Sequence, residues 1–221
     1  MPPPPRQWAG KSGLPDVHRR IVLALIAVLA AVPGAPSAAA DTVAHGVASQ
    51  HIKKLGDEAI ASLRTPGLAL EAREARLRKL LVEGFDMAFI GRFVLGRHWR
   101  TASPDQQSEY MQAFSEYILK VYSSRLGGYA GETLAVVSER PAGDKDVIVN
   151  TRIDRPSGPP IEAAWRVRVA DNDPRIIDIA VSGVSMAVTQ RDEFASVLQR
   201  NSLNGLIERL RARTDKMAAS R

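Results

Sequence analysis

Four short segments between residues 133 and 182 alternate apolar and polar residues, and this pattern constrains the fold more than any other feature. Such alternation is typical of strands with one buried and one solvated face. The breaks between the segments are rich in proline, glycine, asparagine and aspartate, which favour turns. Because connections this short cannot return a parallel strand, the segments predict an antiparallel meander. The predicted strands are 133–139, 147–154, 161–170 and 176–182.

Helical periodicity precedes and follows the meander. The clearest helix start is Ser103-Pro104-Asp105-Gln106, in which serine and glutamine form a capping box and proline fits the first helical position. Strands flanked by helices that cover one apolar sheet face predict an α+β fold. The predicted helices are 45–64, 69–83, 85–95, a long helix from Pro104 to the Gly127-Gly128 stop, 189–200 and 203–217.

Residues 1–40 have the pattern of an export signal. Arg19-Arg20 precedes an apolar run at 21–32, and Ala38-Ala39-Ala40 supplies a small-residue cleavage site before Asp41. The run is shorter than the ~20 residues that a membrane-spanning helix needs. We therefore expect 1–40 to be a signal peptide with an atypical proline-rich extension, and 41–221 to be one periplasmic domain. The chain has no cysteine, which excludes disulfides and a lipid-modified N-terminal cysteine.

The charge of the chain gives little support to a nucleic-acid role. The whole chain carries +6, but 41–221 holds 26 basic and 23 acidic residues, a net charge of +3. A partner with a strongly anionic backbone favours a larger excess of basic residues. Arg92, Arg97 and Arg100 form a local basic cluster. This cluster is either a solvated face or a docking site for anionic headgroups or acidic partners.

The junction GVSMA at 183–187 is similar to the G-x-S-x-G turn that presents a hydrolase nucleophile. That turn belongs to a mostly parallel sheet and needs a histidine later in the chain, but no histidine follows His98. We therefore predict that Ser185 is a turn hydroxyl bonded to nearby backbone. A triad of unusual chain order that recruits His98 or His51 stays an alternative, because triads are defined by geometry.

No pattern for a metal or a cofactor is found in the sequence. His45 and His51 are six residues apart on one predicted helix, so their side chains lie on different faces, and His98 has no partner in the sequence nearby. The glycines of 127–131 follow a helix and precede a strand, which is the reverse of a dinucleotide-binding loop. We predict no metal, no cofactor and no enzyme activity.

Three segments resemble the MlaC family, also called the toluene-tolerance family. They are FVLGRHWRTASPDQQSEYMQAFSEYI at 93–118, GDKDVIVNTRI at 143–153 and GVSMAVTQRDEFASVLQRNSLNGLIERL at 183–210. The family pattern FVLG-x-x-W/Y-R/K-x-A-T/S-P matches Phe93, Val94, Leu95, Gly96, Trp99, Arg100, Ala102, Ser103 and Pro104. The resemblance extends from about Leu77 to Leu210.

The resemblance implies a periplasmic lipid-binding component of an ABC-type lipid transport system. It implies an NTF2-like cone, in which a four-stranded antiparallel curved sheet is wrapped by helices and encloses an apolar cavity for acyl chains. The partners implied are a phospholipid or another membrane lipid, an inner-membrane ABC lipid transporter complex and an outer-membrane lipoprotein and porin complex, without nucleic acid. Such systems maintain outer-membrane lipid asymmetry. Residues 85–101 suit a hopanoid-associated branch, HpnM, equally well, so phospholipid and hopanoid stay open as cargo.

Aromatic and aliphatic residues on the predicted apolar faces are candidates for the cavity wall. Tyr129 is expected at the mouth, where its hydroxyl can reach water, and Met186 is expected to adapt to irregular cargo. The candidates for lipid binding are Phe89, Phe93, Trp99, Tyr117, Tyr129, Trp165, Val167, Ile179, Val181, Val184 and Met186.

Two other classes of function are alternatives to a lipid carrier. A small periplasmic enzyme of the same shape, acting on an apolar substrate, needs an acid or a base inside the cavity. The strands offer few such groups, since Asp178 and Glu162 are predicted to alternate to the wet side. A structural adaptor of an envelope complex, the third class, would have no cavity.

Overall fold

The computed structural model describes residues 38–65, 68–125 and 131–219. Apart from residues 38–40, which are helical, the predicted signal peptide lies outside the described residues. No helix in the described part of the chain is both long enough and apolar enough to cross a bilayer. The helices are α1 Ala38–Arg64, α2 Leu70–Gly84, α3 Met87–Leu95, α4 Arg97–Thr101, α5 Pro104–Arg125, α6 Met186–Leu198 and α7 Leu203–Ala219.

The strands form one antiparallel sheet in the order of the chain, so the α+β meander is confirmed. The sheet is curved and does not close on itself. It has five strands instead of the four predicted, because the short fifth strand pairs with the end of the fourth through Val181 and Val184. The strands are β1 Thr133–Pro141, β2 Asp146–Asp154, β3 Ile161–Ala170, β4 Asp173–Val181 and β5 Val184–Ser185.

Two tight turns set the register of β3, β4 and β5. Asp171 and Asn172 have φ of 51° and 61°, and they join β3 directly to β4. Ser182 and Gly183, with φ of 50° and 81°, join β4 to β5 in the same way. Two consecutive residues with positive φ are typical of the two-residue hairpin turn whose twist matches that of the strands. The first turn therefore lets β4 begin at Asp173, three residues earlier than predicted.

A register shift in β4 changes which side chains become buried. Arg166 pairs with Asp178 and the next residue of β3, Val167, pairs with Ile176, so Ile177 is an extra residue. Such a bulge breaks the alternation of a strand and bends it. As a result the neighbours Ile176 and Ile177 are both buried, with 1% and 3% of their surface exposed.

The hydrophobic interior consists of two packed clusters. The sheet cluster joins α1 to the apolar sheet face through Ala48, Ile52, Val147, Val149, Val167 and Ile176. The helical cluster joins α3, α5, α6 and α7 through Val94, Leu95, Tyr110, Ala113, Phe114, Tyr117, Phe194, Leu206, Ile207 and Leu210.

Tyr110 at the centre of the helical cluster fixes the distance between α3 and α5. Its ring is fully buried, and its hydroxyl donates to the Gly91 carbonyl at 3.1 Å. Burial also raises the pKa of Tyr110 well above its usual range. A Cβ atom at Gly91 would lie 2.6 Å from Met111 Sδ and 3.1 Å from Phe114 Cδ1, so a larger residue there would force the Met111 side chain to move.

Candidate functional site

A cavity of about 540 Å³ lies between the sheet cluster and the helical cluster. Ligand cavities in proteins have volumes of roughly 300–1,000 Å³. Its wall is formed by α1, α2, α3, α5, α6 and the strands, and most of its members are aliphatic or aromatic. The cavity is therefore suited to a long apolar ligand.

The helices contribute to the wall through residues three or four positions apart. From α1 come Ile52, Leu55, Gly56, Ala59, Ile60 and Leu63, and from α2 come Leu77, Leu80 and Leu81. Residues at this spacing share one face of a helix. The exposed ion pairs Lys53–Asp57 and Lys79–Glu83 lie on other faces of α1 and α2.

The sheet contributes Trp165 and Ile179, two of the predicted wall residues, which pair across β3 and β4. The indole nitrogen of Trp165 donates to Thr151 Oγ1 at 2.8 Å. Because this bond satisfies the one polar atom of the indole, the ring can present carbon to a ligand. Met186, a third predicted residue, also lies in the wall, at the first position of α6.

Phe89, Phe93 and Trp99 do not line the cavity, which corrects the predicted wall. Their rings face guanidinium groups: Arg168 lies 4.3 Å from the Phe89 centroid, and Arg191 and Arg92 lie 5.2 Å from the rings of Phe93 and Trp99. The wall residues of α3 are instead Met87, Ile90 and Val94. Successive side chains of a helix are about 100° apart around its axis. Phe89 and Phe93 each precede a wall residue by one position, so their side chains point away from the cavity.

Tyr117 and three predicted valines are also placed outside the cavity wall. Tyr117 belongs to the helical cluster, because the wall face of α5 consists of Phe114, Ile118 and Tyr122. Val167 is fully buried in the sheet cluster, beneath α1. Val181 is half-buried at the end of β4, and Val184 is 54% exposed on β5. Tyr129 lies outside the described residues.

The polar members of the wall are few: Tyr122, Glu132, Thr133, Arg155, Asp178 and Gln190. Asp178 was predicted to face water, but its carboxylate is half-buried and accepts from Ile179 N at 2.8 Å, Ala187 N at 3.0 Å and the Ser185 hydroxyl at 2.6 Å. These three bonds hold the carboxylate at the N-terminus of α6, where a negative charge is favourable.

Ser185 is the N-cap of α6, as predicted for a turn hydroxyl. Its Oγ accepts from Val188 N at 3.1 Å while it donates to Asp178. The ring of His51 is bonded elsewhere: Nε2 lies 3.2 Å from the Gly84 carbonyl. Burial lowers the pKa of His51, and this bond opposes the shift. Within the described ranges, no group of three His, Asp or Glu side chains is arranged to hold a metal ion.

The basic cluster of Arg92, Arg97 and Arg100 is exposed on α3 and α4. Arg92 lies over the ring of Trp99, which holds part of the cluster against the protein surface. The charge of the cluster is therefore presented to solvent.

The wall residues of α1 and α2 form a large part of the cavity and were not predicted from the sequence. Their signal was present, because Ile52, Leu55, Ala59 and Leu63 repeat at helical spacing. The same spacing is typical of an ordinary packed helix. Only the gap between α1, α2 and the rest of the fold distinguishes a cavity wall from a core face.

Three comparisons with known proteins bear on this cavity. The model of the MlaC protein family matches residues 53–212. The intermembrane phospholipid transport system binding protein MlaC of Haemophilus influenzae is 24% identical over 138 residues, and the alignment covers 61% of this chain and 64% of that relative. A phospholipid-binding protein of Ralstonia solanacearum, solved in complex with a phospholipid, superposes with a TM-score of 0.68 at 25% identity and covers 77% of this chain and 98% of its own.

Proposed function

The chain belongs to the MlaC family, and on that premise we propose that it is a periplasmic carrier that shelters the acyl chains of a phospholipid in the cavity. The observation that carries the proposal is the apolar cavity of about 540 Å³, built from helices and sheet together. It is supported by the similarity to a Ralstonia protein solved with a phospholipid bound. The curated relative is matched over less than two thirds of its length, so its transport role is extended to this chain by inference.

The physical problem that such a carrier solves is the exposure of hydrocarbon to water. Each exposed methylene costs ~0.8 kcal/mol, so an acyl chain of roughly sixteen carbons costs ~13 kcal/mol. A wall of leucine, isoleucine, phenylalanine and methionine side chains removes most of this cost. The lipid can then leave a membrane without a large rise in free energy, provided that the carrier does not bind it too tightly to release it.

The route of transfer follows from the same proposal. After cleavage near Ala40 and Asp41, the mature chain would exchange lipid with an inner-membrane ABC transporter complex on one side and an outer-membrane lipoprotein and porin complex on the other. The sequence contains no glycine-rich phosphate loop, so the energy for directed transport would come from the membrane complex.

An enzyme of the same shape is less well supported. Such an enzyme needs an acid or base that can exchange protons with a ligand in the cavity. The Asp178 carboxylate is occupied by three hydrogen bonds at the start of α6. The wall residue Glu132 already has an interaction partner of its own. No observation therefore favours a reaction at this site.

The proposal is tested by purifying the mature chain, extracting its lipids and identifying them by mass spectrometry. The lipid-free protein is then mixed with vesicles that contain a labelled phospholipid. We expect a phospholipid to copurify and labelled lipid to move from donor to acceptor vesicles. A protein that neither retains nor transfers lipid contradicts the proposal.

A further inference from the structure

We propose that Arg155 binds the phosphate of the lipid headgroup at the mouth of the cavity, so that the protein selects lipids that contain a phosphodiester. The inference rests on the proposed function and adds a headgroup site to it. It concerns the choice between phospholipid and uncharged lipid, which the apolar wall cannot make.

Arg155 lies at the end of the sheet where the cavity meets solvent. Leu134, Ile153 and Ile161 pair across β1, β2 and β3, and all three are half-buried members of the wall. Arg155 follows β2 two residues after Ile153, and it is exposed although it also lines the cavity. A ligand whose chains occupy the interior would thus have its polar end close to this side chain.

The guanidinium is held in place by its own hairpin loop. Nε donates to the Pro159 carbonyl at 2.9 Å, and Nη2 donates to the same oxygen. Gly158 has φ of +84°, and a Cβ atom there would lie 3.2 Å from Nη2 of Arg155. The loop also contains Pro156 and Pro160, which restrict its backbone. The group is therefore oriented before a ligand binds.

This orientation leaves donors for an anion. A guanidinium has five N–H donors, and the Pro159 carbonyl engages only the Nε edge and Nη2. Within the described part of the chain, no ion pair joins Arg155 to a carboxylate. Planar N–H donors fit the oxygens of a phosphate, and such charge-assisted bonds are stronger than neutral ones.

The other charges of the wall leave Arg155 as the group suited to a phosphate. Arg155 is the one cationic side chain among the wall residues that the structure describes. The Asp178 carboxylate accepts a hydrogen bond from Ala187 N in the first turn of α6. Glu132 precedes the pair Thr133 and Asp154 at the same end of the sheet, and it has its own partner. A phosphate at the mouth can thus pair with Arg155, whereas an unpaired phosphate inside the wall would be costly.

The experiment compares two lipids with identical acyl chains, dioleoyl phosphatidylcholine and dioleoylglycerol, offered together in vesicles to the lipid-free mature protein. Wild type, Arg155→Gln and the control Arg152→Gln are each recovered, and the two bound lipids are quantified by mass spectrometry. Arg152 is a matched control because it lies three residues before Arg155, near the end of β2, is exposed and pairs with Asp154 outside the cavity wall.

We expect wild type and Arg152→Gln to prefer the phospholipid. In Arg155→Gln, the ratio of bound phospholipid to bound dioleoylglycerol should fall about tenfold, as the loss of a charged hydrogen bond implies. Binding of dioleoylglycerol should not change. An Arg155→Gln protein with the wild-type preference overturns the inference. A wild type that takes up neither lipid overturns the proposed function, and the headgroup site with it.

Two further measurements check the folding of the variant and the binding of free phosphate. Thermal melting checks that Arg155→Gln is folded. If it is not, the lipid competition is repeated with Arg155→Lys, which keeps the charge without the planar donors. Arg155→Lys should show a reduced preference for the phospholipid, and an unchanged preference overturns the inference. Calorimetry with inorganic phosphate alone should show no binding to the lipid-free protein. Tight binding of phosphate would identify a site for free anions instead of a lipid headgroup.

Discussion

Ser185 donates a hydrogen bond of 2.6 Å to Asp178, and the two side chains together cap the first turn of α6. This relationship ties the end of β4 to the helix that follows it, at a point where both elements border the cavity. It explains why a serine in a strand-to-helix turn need not be a nucleophile. The hydroxyl is a structural group, and its removal should affect stability before it affects function.

Ser185→Ala should lower the free energy of unfolding by about 1 kcal/mol, because the N-cap bond to Val188 is lost. Urea denaturation measures this change, and the exposed loop serine Ser157 gives the control variant Ser157→Ala. Lipid transfer by folded Ser185→Ala should equal that of wild type. A variant as stable as wild type that no longer transfers lipid would instead show that the hydroxyl takes part in lipid transfer, which contradicts a purely structural role.

Ala59→Phe should reduce the phospholipid that copurifies several-fold, because Ala59 lies in the wall and a larger ring would occupy part of the cavity. The lipid-free variant should be stabilised by about 0.5–2 kcal/mol, as is common when a void is filled. Ala135→Phe, at an exposed position of β1, is the control for the size of the residue. Undiminished lipid in Ala59→Phe would mean that the acyl chains bind elsewhere.

The variants Ile179→Arg and Val184→Arg together test where the cavity wall ends. Ile179 lines the cavity, so a charge there should lower the lipid content strongly, because an unpaired guanidinium among apolar groups is costly. Val184 is 54% exposed on β5, and Val184→Arg should retain the wild-type lipid. Native mass spectrometry gives both values. An equal loss in the two variants would show that the wall extends to β5.

Asp146 provides a prediction about pH. Its carboxylate is 6% exposed and accepts from Nε of both Arg166 and Arg168 at 2.8 Å. Burial raises the pKa of Asp146, but the hydrogen bonds and charges of the two arginines outweigh burial, so the pKa lies below its ordinary value. A lowered pKa in the folded state stabilises the protein above the pKa of the unfolded chain, about 3.9, and this stability is lost as the pH falls further.

Asp146→Asn should therefore cost about 1–3 kcal/mol at neutral pH, and the difference from wild type should shrink below about pH 4. Urea denaturation across this pH range measures it. Asp154→Asn removes an exposed pair with Arg152 and should cost at most about 1 kcal/mol. A constant difference between Asp146→Asn and wild type at all pH values would contradict the role of the ionised carboxylate.

The sequence predicted the sheet well because its signals are local. Alternating residues define β1 to β4, and turn residues such as Asp171 and Asn172 separate them. The bulge at Ile177 could not be predicted, since an isoleucine pair fits either register of a strand. The fifth strand was also missed, because two residues are too short to show a period.

The wall was harder to predict than the fold, and α3 shows the reason. Phe89, Ile90 and Phe93 are all large and apolar, so the periodicity of this helix does not indicate which face meets the cavity. The choice depends on arginines from distant segments, Arg168 and Arg191, whose side chains cover the two phenylalanine rings. Contacts between residues so far apart in the chain leave no trace in local spacing.

The separation of the sheet cluster from the helical cluster has a consequence for the empty carrier. Atoms that border the gap between them lack neighbours on one side, so the unloaded polypeptide forgoes attraction that a solid interior would supply. If the proposed function holds, the hydrocarbon tails of a bound lipid would supply the missing contacts and act as part of the core. Release of that lipid would then leave a less cohesive protein, so binding should raise the free energy of unfolding.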